Sequence, residues 1–194
     1  MSFIQKKERK MKKLMTTIVI LLLCSTALHA QNYAVDKGAR IIMGMASYSS
    51  YGGADIEHRY NVISLTPGFN YFVASHIFLG IGLSYNRQSQ GKSSMTEIGV
   101  GPNIGFAMGD RTSKGHPYIA LGVRYRSETY SGDGYSDKAT GSAIILAGGY
   151  IQKVKQHIGI ILEAAYHIMN TSENGDSYST NMIAVSVGIA GLLY

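Results

Sequence analysis

From Ile77 to Gln88 every second residue as far as Tyr85 is large and apolar: Ile77, Leu79, Ile81, Leu83 and Tyr85. Between them lie Phe78, Gly80, Gly82, Ser84 and Asn86, mostly small or polar. Side chains alternate sides of an extended chain with period two, so this segment predicts a β-strand with one greasy face and one small, polar face. The pattern recurs. Met95–Met108 sets Ile98, Val100, Pro102, Ile104 and Phe106 against Glu97, Gly99, Gly101, Asn103 and Gly105. Pro117–Glu128 sets Ile119, Leu121, Val123 and Tyr125 against Ala120, Gly122, Arg124, Arg126 and Glu128. Ile158–Met169 and the final strand, with Ile183, Val185, Val187, Ile189 and Leu193 on one side, follow suit. Arg59–Val73 carries Ile63, Leu65, Phe69 and Tyr71 on one face, while Ala39–Ser50 and Thr140–Val154 alternate less clearly. Gly38 to Tyr194 thus divides into eight short strands.

Polarity decides which face is inside. A soluble up-and-down barrel keeps apolar residues in and polar residues out. Here the apolar face is continuous in aliphatic residues, and the other mixes charges with glycine, the arrangement of a barrel whose outside meets lipid. The fold expected is all-β, an eight-stranded antiparallel up-and-down transmembrane β-barrel. Ten residues at about 3.3 Å, tilted about 40°, span roughly 25 Å, the height of the apolar band of such barrels. An eight-stranded interior is just wide enough for side chains to fill, which suits the inner glycines. The short connections Ala74–His76 and Lys155–His157, with the somewhat longer Gly109–His116, alternate with polar ones over Ser50–His58, Ser89–Ser94, Ser131–Ala139 and Asn170–Ser179. That alternation puts both termini on the periplasmic side and predicts four extracellular loops.

The N-terminal thirty residues read as a cleavable signal peptide. Lys6, Lys7, Arg9, Lys10, Lys12 and Lys13 precede the apolar run Leu14–Leu23, and Ala27-Leu28-His29-Ala30 offers a cleavage site before Gln31. A spanning helix needs about 20 apolar residues, more than this run supplies. Met11 begins a complete signal of its own, so residues 1–10 read as a start-site extension. Cys24 follows Leu23 rather than a small residue and reads as part of the apolar run, leaving residues 31–194 without cysteine. The chain has 18 Lys+Arg and 12 Asp+Glu; six of those bases and Glu8 lie in the signal, which leaves twelve against eleven, or +1. The basicity belongs to export and gives no support for nucleic-acid binding. Residues 31–194 are expected to form one domain, located in the outer membrane.

The segment Ile63-Ser64-Leu65-Thr66-Pro67-Gly68-Phe69-Asn70-Tyr71-Phe72-Val73 resembles the Pro-x-x-x-Tyr-Phe strand of the outer-membrane β-barrel (porin-like, OmpA/OmpX-type) proteins of Bacteroidetes. Ile77–Tyr85 and His116–Gly122 continue the likeness, which covers the whole mature chain. It implies insertion by the barrel assembly machinery and brings no family-wide catalytic residue. One departure concerns the last residue. Such families keep a terminal aromatic on the lipid-facing parity, whereas Tyr194 is even and the outward set is odd; a bulge near Gly191 would repair the register. Bulges are also expected at Pro67 and Pro102, because proline removes a ladder hydrogen bond.

The inward charges Arg40, Glu97, Arg124, Arg126, Glu128, Glu163 and His167 are the candidate site. Isolated buried charge is costly, so they are expected to plug the lumen as pairs, Glu97 and Glu163 with Arg124 and Arg126. The alternative is a polar pore for small solutes. A third reading is lipid A chemistry, because the lipid A deacylase pattern His-x-Ser-Asn is approached by His167-Ile168-Met169-Asn170. Met169 stands at the nucleophile's place and a thioether cannot attack an ester; Ser172 is nearby but out of pattern. Asp133, Asp137, Glu173 and Asp176 read as solvated loop acids, without the twelve-residue calcium pattern. Some of Tyr48, Tyr60, Tyr71, Tyr85, Tyr118, Tyr125, Tyr150 and Tyr166 should form interfacial girdles. His58, His76 and His116 fall at connections without metal-ligand spacing. No cofactor motif is present. The function expected is structural or interactive, a monomer touching outer-membrane lipid and lipopolysaccharide and meeting surface partners through its loops.

Overall fold

The computed structural model describes residues 34–51, 59–110, 112–132, 135–173 and 176–194. The signal-peptide reading and Asp133 lie outside these residues. Eight strands follow in chain order: β1 (Arg40–Tyr51), β2 (Tyr60–Ala74), β3 (Ile77–Gln90), β4 (Ser93–Ala107), β5 (Gly115–Gly132), β6 (Tyr135–Lys155), β7 (Ile158–Glu173) and β8 (Asp176–Leu193). Each pairs antiparallel with the next, and β1 pairs with β8 from Arg40↔Leu193 to Ala46↔Val187, closing the barrel. Along this seam the backbone polar groups are satisfied without water, as a spanning structure requires, while Ser47–Tyr51 and Asp176–Ser186, distal to it, are not paired with each other. No helix among the described residues is long and apolar enough to cross a membrane.

Two ends of the barrel differ. The terminal end carries Ala34–Ala39, Tyr194 and the three connections after β2, β4 and β6. At the opposite, distal end the strands run longer than the sequence pattern implies. Ser131–Ala139 and Asn170–Ser179, read as loops, are mostly strand: pairing continues to Gly132↔Tyr135 and Glu173↔Asp176. Asp137 and Asp176 therefore stand on strands rather than in loops. Ser89–Ser94 is likewise a hairpin, closed by Gly91-Lys92 with Gly91 at φ 54°, a left-handed conformation that glycine adopts at little cost. These ends escaped the parity reading because Ser, Thr and Asn occupy both faces there, so hydrophobicity ceases to alternate while the backbone pairing does not.

The outward face is an apolar belt. It runs through Ile119, Leu121 and Val123 on β5, Ile144 and Leu146 on β6, Ile158, Ile160 and Leu162 on β7 and Ile183, Val185, Val187 and Ile189 on β8, all exposed. Tyr48, Tyr85, Tyr125 and Tyr166 edge it distally, with Tyr71 and Tyr150 toward the terminal end, the places of interfacial aromatics. Tyr118 is not among them; it is inward and buried. On β1 the outward parity is even, with Ile42 exposed and Ile41 and Met45 buried. Arg40 shares that even face and falls outside the lumen, contrary to the sequence reading. The error arises because β1 has glycine, alanine and serine on its outward face and methionine on its inward one.

The terminal end is tied by histidines. His157 Nδ1 bonds the Leu192 carbonyl at 2.8 Å, and Leu192 N donates back to the His157 carbonyl at 2.9 Å. His76 repeats this two-point clasp with Ala107, at 2.9 and 2.8 Å, and His116 Nδ1 reaches the Met108 carbonyl at 3.1 Å. Both two-residue turns follow a β-bulge, between Phe72 and Ala74 and between Lys153 and Lys155. The bulges foreseen elsewhere are absent. At Pro67 and Pro102 two pairings drop out on one side of each strand, yet Leu65↔Tyr85 and Gly68↔Gly82 keep one register, as do Val100↔Tyr125 and Asn103↔Gly122. Register also continues unshifted through Gly191. Tyr194 therefore keeps the inward parity, stacks on His157 with ring centroids 5.3 Å apart, and donates its hydroxyl to the Gln156 carbonyl at 2.6 Å.

Candidate functional site: the barrel lumen

The lumen is built in two layers. At the terminal end it is apolar. Phe72, Phe78, Ile41, Met45, Ala107, Ile151, Ile161, Ala190 and Leu192 form one buried cluster, and Phe72 meets Phe78 edge-on at 5.5 Å. The segment Ala34–Ala39 turns into this cluster, with Val35 and Ala39 fully buried. Its backbone is fixed by His76 N to Val35 O at 2.7 Å, Gly38 N to Phe72 O at 2.8 Å and Phe72 N to Ala39 O at 2.9 Å. Ser75 adds a 2.6 Å hydrogen bond to Asp36. Each fully buried large side chain contributes about 1.5–3 kcal/mol, so this layer stabilises the barrel from within.

Above it the inward side chains are polar. Tyr118, over the apolar cluster, donates to Glu163 Oε2 at 2.7 Å. Its ring fits because residue 149 is glycine: a Cβ there would lie 2.5–2.7 Å from three atoms of the Tyr118 side chain. Asn103 donates to Asn70 at 2.8 Å. Arg124 crosses to the proline gap in the β4–β5 ladder and donates from Nη1 to the carbonyls of Gly101 at 3.0 Å, Pro102 at 3.1 Å and Val123 at 3.0 Å. The guanidinium thus supplies donors where Pro102 has no N–H. Gly82 leaves the room it lies in, because a Cβ there would overlap its terminal nitrogen.

Toward the distal end lies an ion triad. Arg126 Nη2 pairs with Glu97 Oε2 and, at 2.7 Å, with Glu128 Oε1. Asn86 donates to the other Glu97 oxygen at 3.0 Å, Tyr130 to Glu128 Oε2 at 2.6 Å and Thr171 to Glu128 Oε1 at 3.4 Å. Arg126 Nε and Nη1 are buried without a hydrogen-bond partner. His167 lies half-buried on the same inward parity of β7.

Of the seven residues read as lumen charges, six face inward and Arg40 does not. The expected pairing is rearranged. Arg126 takes Glu97 as foreseen and Glu128 in addition, whereas Glu163 pairs with a tyrosine and Arg124 with backbone carbonyls. Parity alone locates a face, but cross-strand register decides who meets whom: Glu97 stands opposite Glu128, and Arg126 two residues along from Glu128 reaches both. Sequence reasoning missed the apolar layer, Tyr118, and the histidine clasps. The signal for the clasps was present, since β3 and β7 begin just after His76 and His157, and His116 is the second residue of β5.

Among the described residues no group of three or more His, Cys, Asp or Glu is placed to hold a metal ion. Nor does the geometry assemble a nucleophile and base on β7. His167 and Met169 take the inward parity, while Asn170 and Ser172 are exposed on the opposite one; Thr171 is inward, and its hydroxyl donates to Glu128 at 3.4 Å.

Residues 19–190 match the outer membrane protein beta-barrel domain family. The fold is similar to that of OprG, an outer membrane protein from Pseudomonas aeruginosa, at 12% identity over 84% of this chain and 100% of that one, TM-score 0.58. It is similar too to the N-terminal β-barrel domain of Pseudomonas aeruginosa OprF, at 11% identity over 81% and 98%, TM-score 0.53. Neisserial surface protein A gives 14% identity over 79% and 94%, TM-score 0.52. No curated protein matches the sequence.

Proposed function

This chain belongs to the outer membrane protein beta-barrel family, and from that premise we propose that it serves as a closed scaffold, acting through its surfaces rather than through its lumen. Its location is the outer membrane, and its outward apolar belt meets lipid. The terminal end is assigned to the periplasm and the long hairpins β5–β6 and β7–β8 to the outside, following the rule that periplasmic turns are short and outer segments long. The likeness of Ile63–Val73 to the Bacteroidetes-type members supports the same reading for this subgroup.

One observation supports the proposal: buried and paired side chains project into the lumen in successive layers. A solute crossing it would have to displace Val35, Phe72, Phe78, Ile161 and Leu192, then separate Tyr118 from Glu163, then pass the Arg126 triad. An eight-stranded barrel has no bore beyond what its side chains leave. No catalytic step is assigned. The outer hairpins then offer the surface for partners, with the barrel acting as a monomer.

Planar-bilayer recording of the refolded protein tests this, after heat-dependent gel migration has confirmed the barrel. Silence over a wide voltage range is expected. Steady, ion-selective openings would overturn the reading in favour of a small-solute porin.

A further inference from the structure

The seam that closes the barrel stops partway. β1 and β8 pair only as far as Ala46↔Val187, whereas β8 stays paired with β7 to Glu173↔Asp176 without a register shift. Asp176–Ser186 therefore have a strand on one side and none on the other among the described residues. One hydrogen bond shows which backbone groups face the opening. Leu192 N donates to the His157 carbonyl, on the β7 side. Backbone groups alternate sides along a strand held in one register, so even residues of β8 turn toward β7 and odd ones away from it. Ser177, Ser179, Asn181, Ile183 and Val185 thus present N–H and C=O to the opening. Continued register would give Val185 and Ile183 the partners Tyr48 and Ser50, and neither pair forms. The Ser50 carbonyl instead accepts from Arg59 Nη2 at 3.3 Å.

Nothing blunts this edge. Open strand edges are ordinarily protected by charge, proline, a bulge or shortness. Another open stretch at the distal end, Tyr135–Ala139 of β6 beyond Thr140↔Ser172, is short and carries Asp137 and Lys138. There the Lys138 N–H is already held by the Asp137 carboxylate at 2.7 Å. Asp176–Ser186 is longer, contains no lysine, arginine or proline, and keeps its register. Ile183 and Val185 along it are 76% and 67% exposed, and Tyr178 and Met182 are exposed although they take the inward parity. Ile183 and Val185 belong to the apolar belt, where water cannot satisfy open backbone groups. An acyl chain fills space there but neither donates nor accepts. An extended polypeptide does both, at the spacing of about 7 Å between alternate residues.

We propose that the distal edge of β8 is a strand-docking site, to which an extended segment of another protein adds from outside by backbone hydrogen bonds to Ser177–Val185. The segment ends or turns back near Val187, where β1 takes up the edge. It is apolar beside Ile183, Val185 and Met182, and polar beside Ser177 and Ser179. This deepens the scaffold reading by naming the class of its surface partner, and it rests on the assignment of the distal end to the outer surface, not on the closed lumen.

Amide hydrogen exchange of the refolded protein in phosphatidylcholine nanodiscs, followed by NMR, tests it together with binding of dye-labelled synthetic peptides. These alternate Val or Ile with Thr or Ser over about ten residues, the length of the open edge at about 3.3 Å each. Without peptide, the N–H groups of Ser179, Asn181 and Ile183 are expected to exchange faster than that of Thr180, which faces β7. Peptide is expected to slow them. Ser179→Pro combined with Asn181→Pro should weaken binding about tenfold by removing two donors, whereas Ser136→Pro on β6 leaves it unchanged. Both prolines of the pair replace N–H groups that face the opening, so the β7–β8 ladder keeps its bonds; heat-dependent gel migration shows that each variant is folded. Failure of every peptide to bind, or equal loss in Ser136→Pro, would overturn the proposal. So would protection of Asn181 and Ile183 without peptide, because β1 would then have zipped onto β8. A dimer formed without peptide and dissolved by the proline pair would assign the edge to a second copy instead. Silent bilayers without peptide binding would leave the closed scaffold standing and remove this site alone, while steady openings with edge-dependent binding would do the reverse.

Discussion

Glu97 and Glu128 are directly opposed across β4 and β5, and both are buried. Two carboxylates about 5 Å apart repel by about 3 kcal/mol at an effective dielectric of ~20. Arg126 offsets this by binding both through Nη2. Arg126→Met keeps an unbranched stem of similar length and removes the guanidinium. Breaking a buried ion pair by removing one partner costs about 3–5 kcal/mol, a range whose lower edge the Coulomb figure meets. Because the chain has no tryptophan, urea unfolding in phosphatidylcholine vesicles is best followed by far-ultraviolet circular dichroism and gel migration. The expected loss is about 3–5 kcal/mol for Arg126→Met. Most of it should return when Glu97→Gln and Glu128→Gln are added, since two amides can share hydrogen bonds without repulsion. A loss under about 1 kcal/mol, the value of an exposed pair, would refute the reasoning. So would a combined variant as unstable as Arg126→Met alone, because charge would then not be what the arginine compensates.

Glu163 is held differently, and its variants should separate the two cases. Glu163→Gln keeps an acceptor for Tyr118 and is expected to cost under about 1 kcal/mol, whereas Tyr118→Phe strips the carboxylate of its donor and should cost about 1–3 kcal/mol in the same unfolding assay. His157→Ala removes the Nδ1 bond to Leu192 across the β7–β8 end, for an expected loss of about 1 kcal/mol in the urea midpoint. In the β4–β5 turn the Thr112 hydroxyl, then the Ser113 hydroxyl and the Thr112 N–H, hold Asp110 at a pKa of about 2, below its ordinary 3.8. Folding lowers this pKa, so the contribution is fully present above about pH 4 and is lost as pH falls through about 2. Unfolding midpoints of the unaltered protein and Asp110→Asn, measured from about pH 6 to about pH 2, are therefore expected to converge at the acid end.

Strand number, order and closure were legible because a lipid-facing strand must be apolar at every second position, and one slipped residue would turn its inward charges into lipid. The same rule fails where the outside is no longer lipid. Beyond Ile144 the outward residues of β6 are Ser142, Thr140, Lys138 and Ser136, which water tolerates on either face, so the seven paired residues of Ser131–Ala139 passed for a loop. It fails also on β1, where Gly44 and Ala46 on the outside weigh less than Met43 and Met45 on the inside. Glu97, Arg124, Arg126, Glu128, Glu163 and His167 were legible as inward, since no other face could take them. Their partners were not, because the Arg124 contacts depend on a gap created by Pro102 on the neighbouring strand and the Tyr118–Glu163 bond spans 45 residues of sequence.

The two-layer lumen follows from what each end of the barrel faces. Near the terminal mouth the inward positions sit beside the chain's own N-terminal segment, and Val35 and Ala39 enter as additional apolar surface rather than as solvent. A polar lining there would have left Ala34–Ala39 nothing to pack on. Toward the distal end no such segment exists among the described residues, and the inward positions must satisfy one another, which carboxylates, guanidinium groups and hydroxyls in register do. Stability therefore comes from inside as well as from lipid, and the outer face is released from that duty. Its distal rows can vary between Arg87 on β3 and the serines and threonines of β5–β8 without disturbing the barrel. Substitutions at these outward distal positions are therefore expected to keep the barrel intact, while Arg126→Met is not.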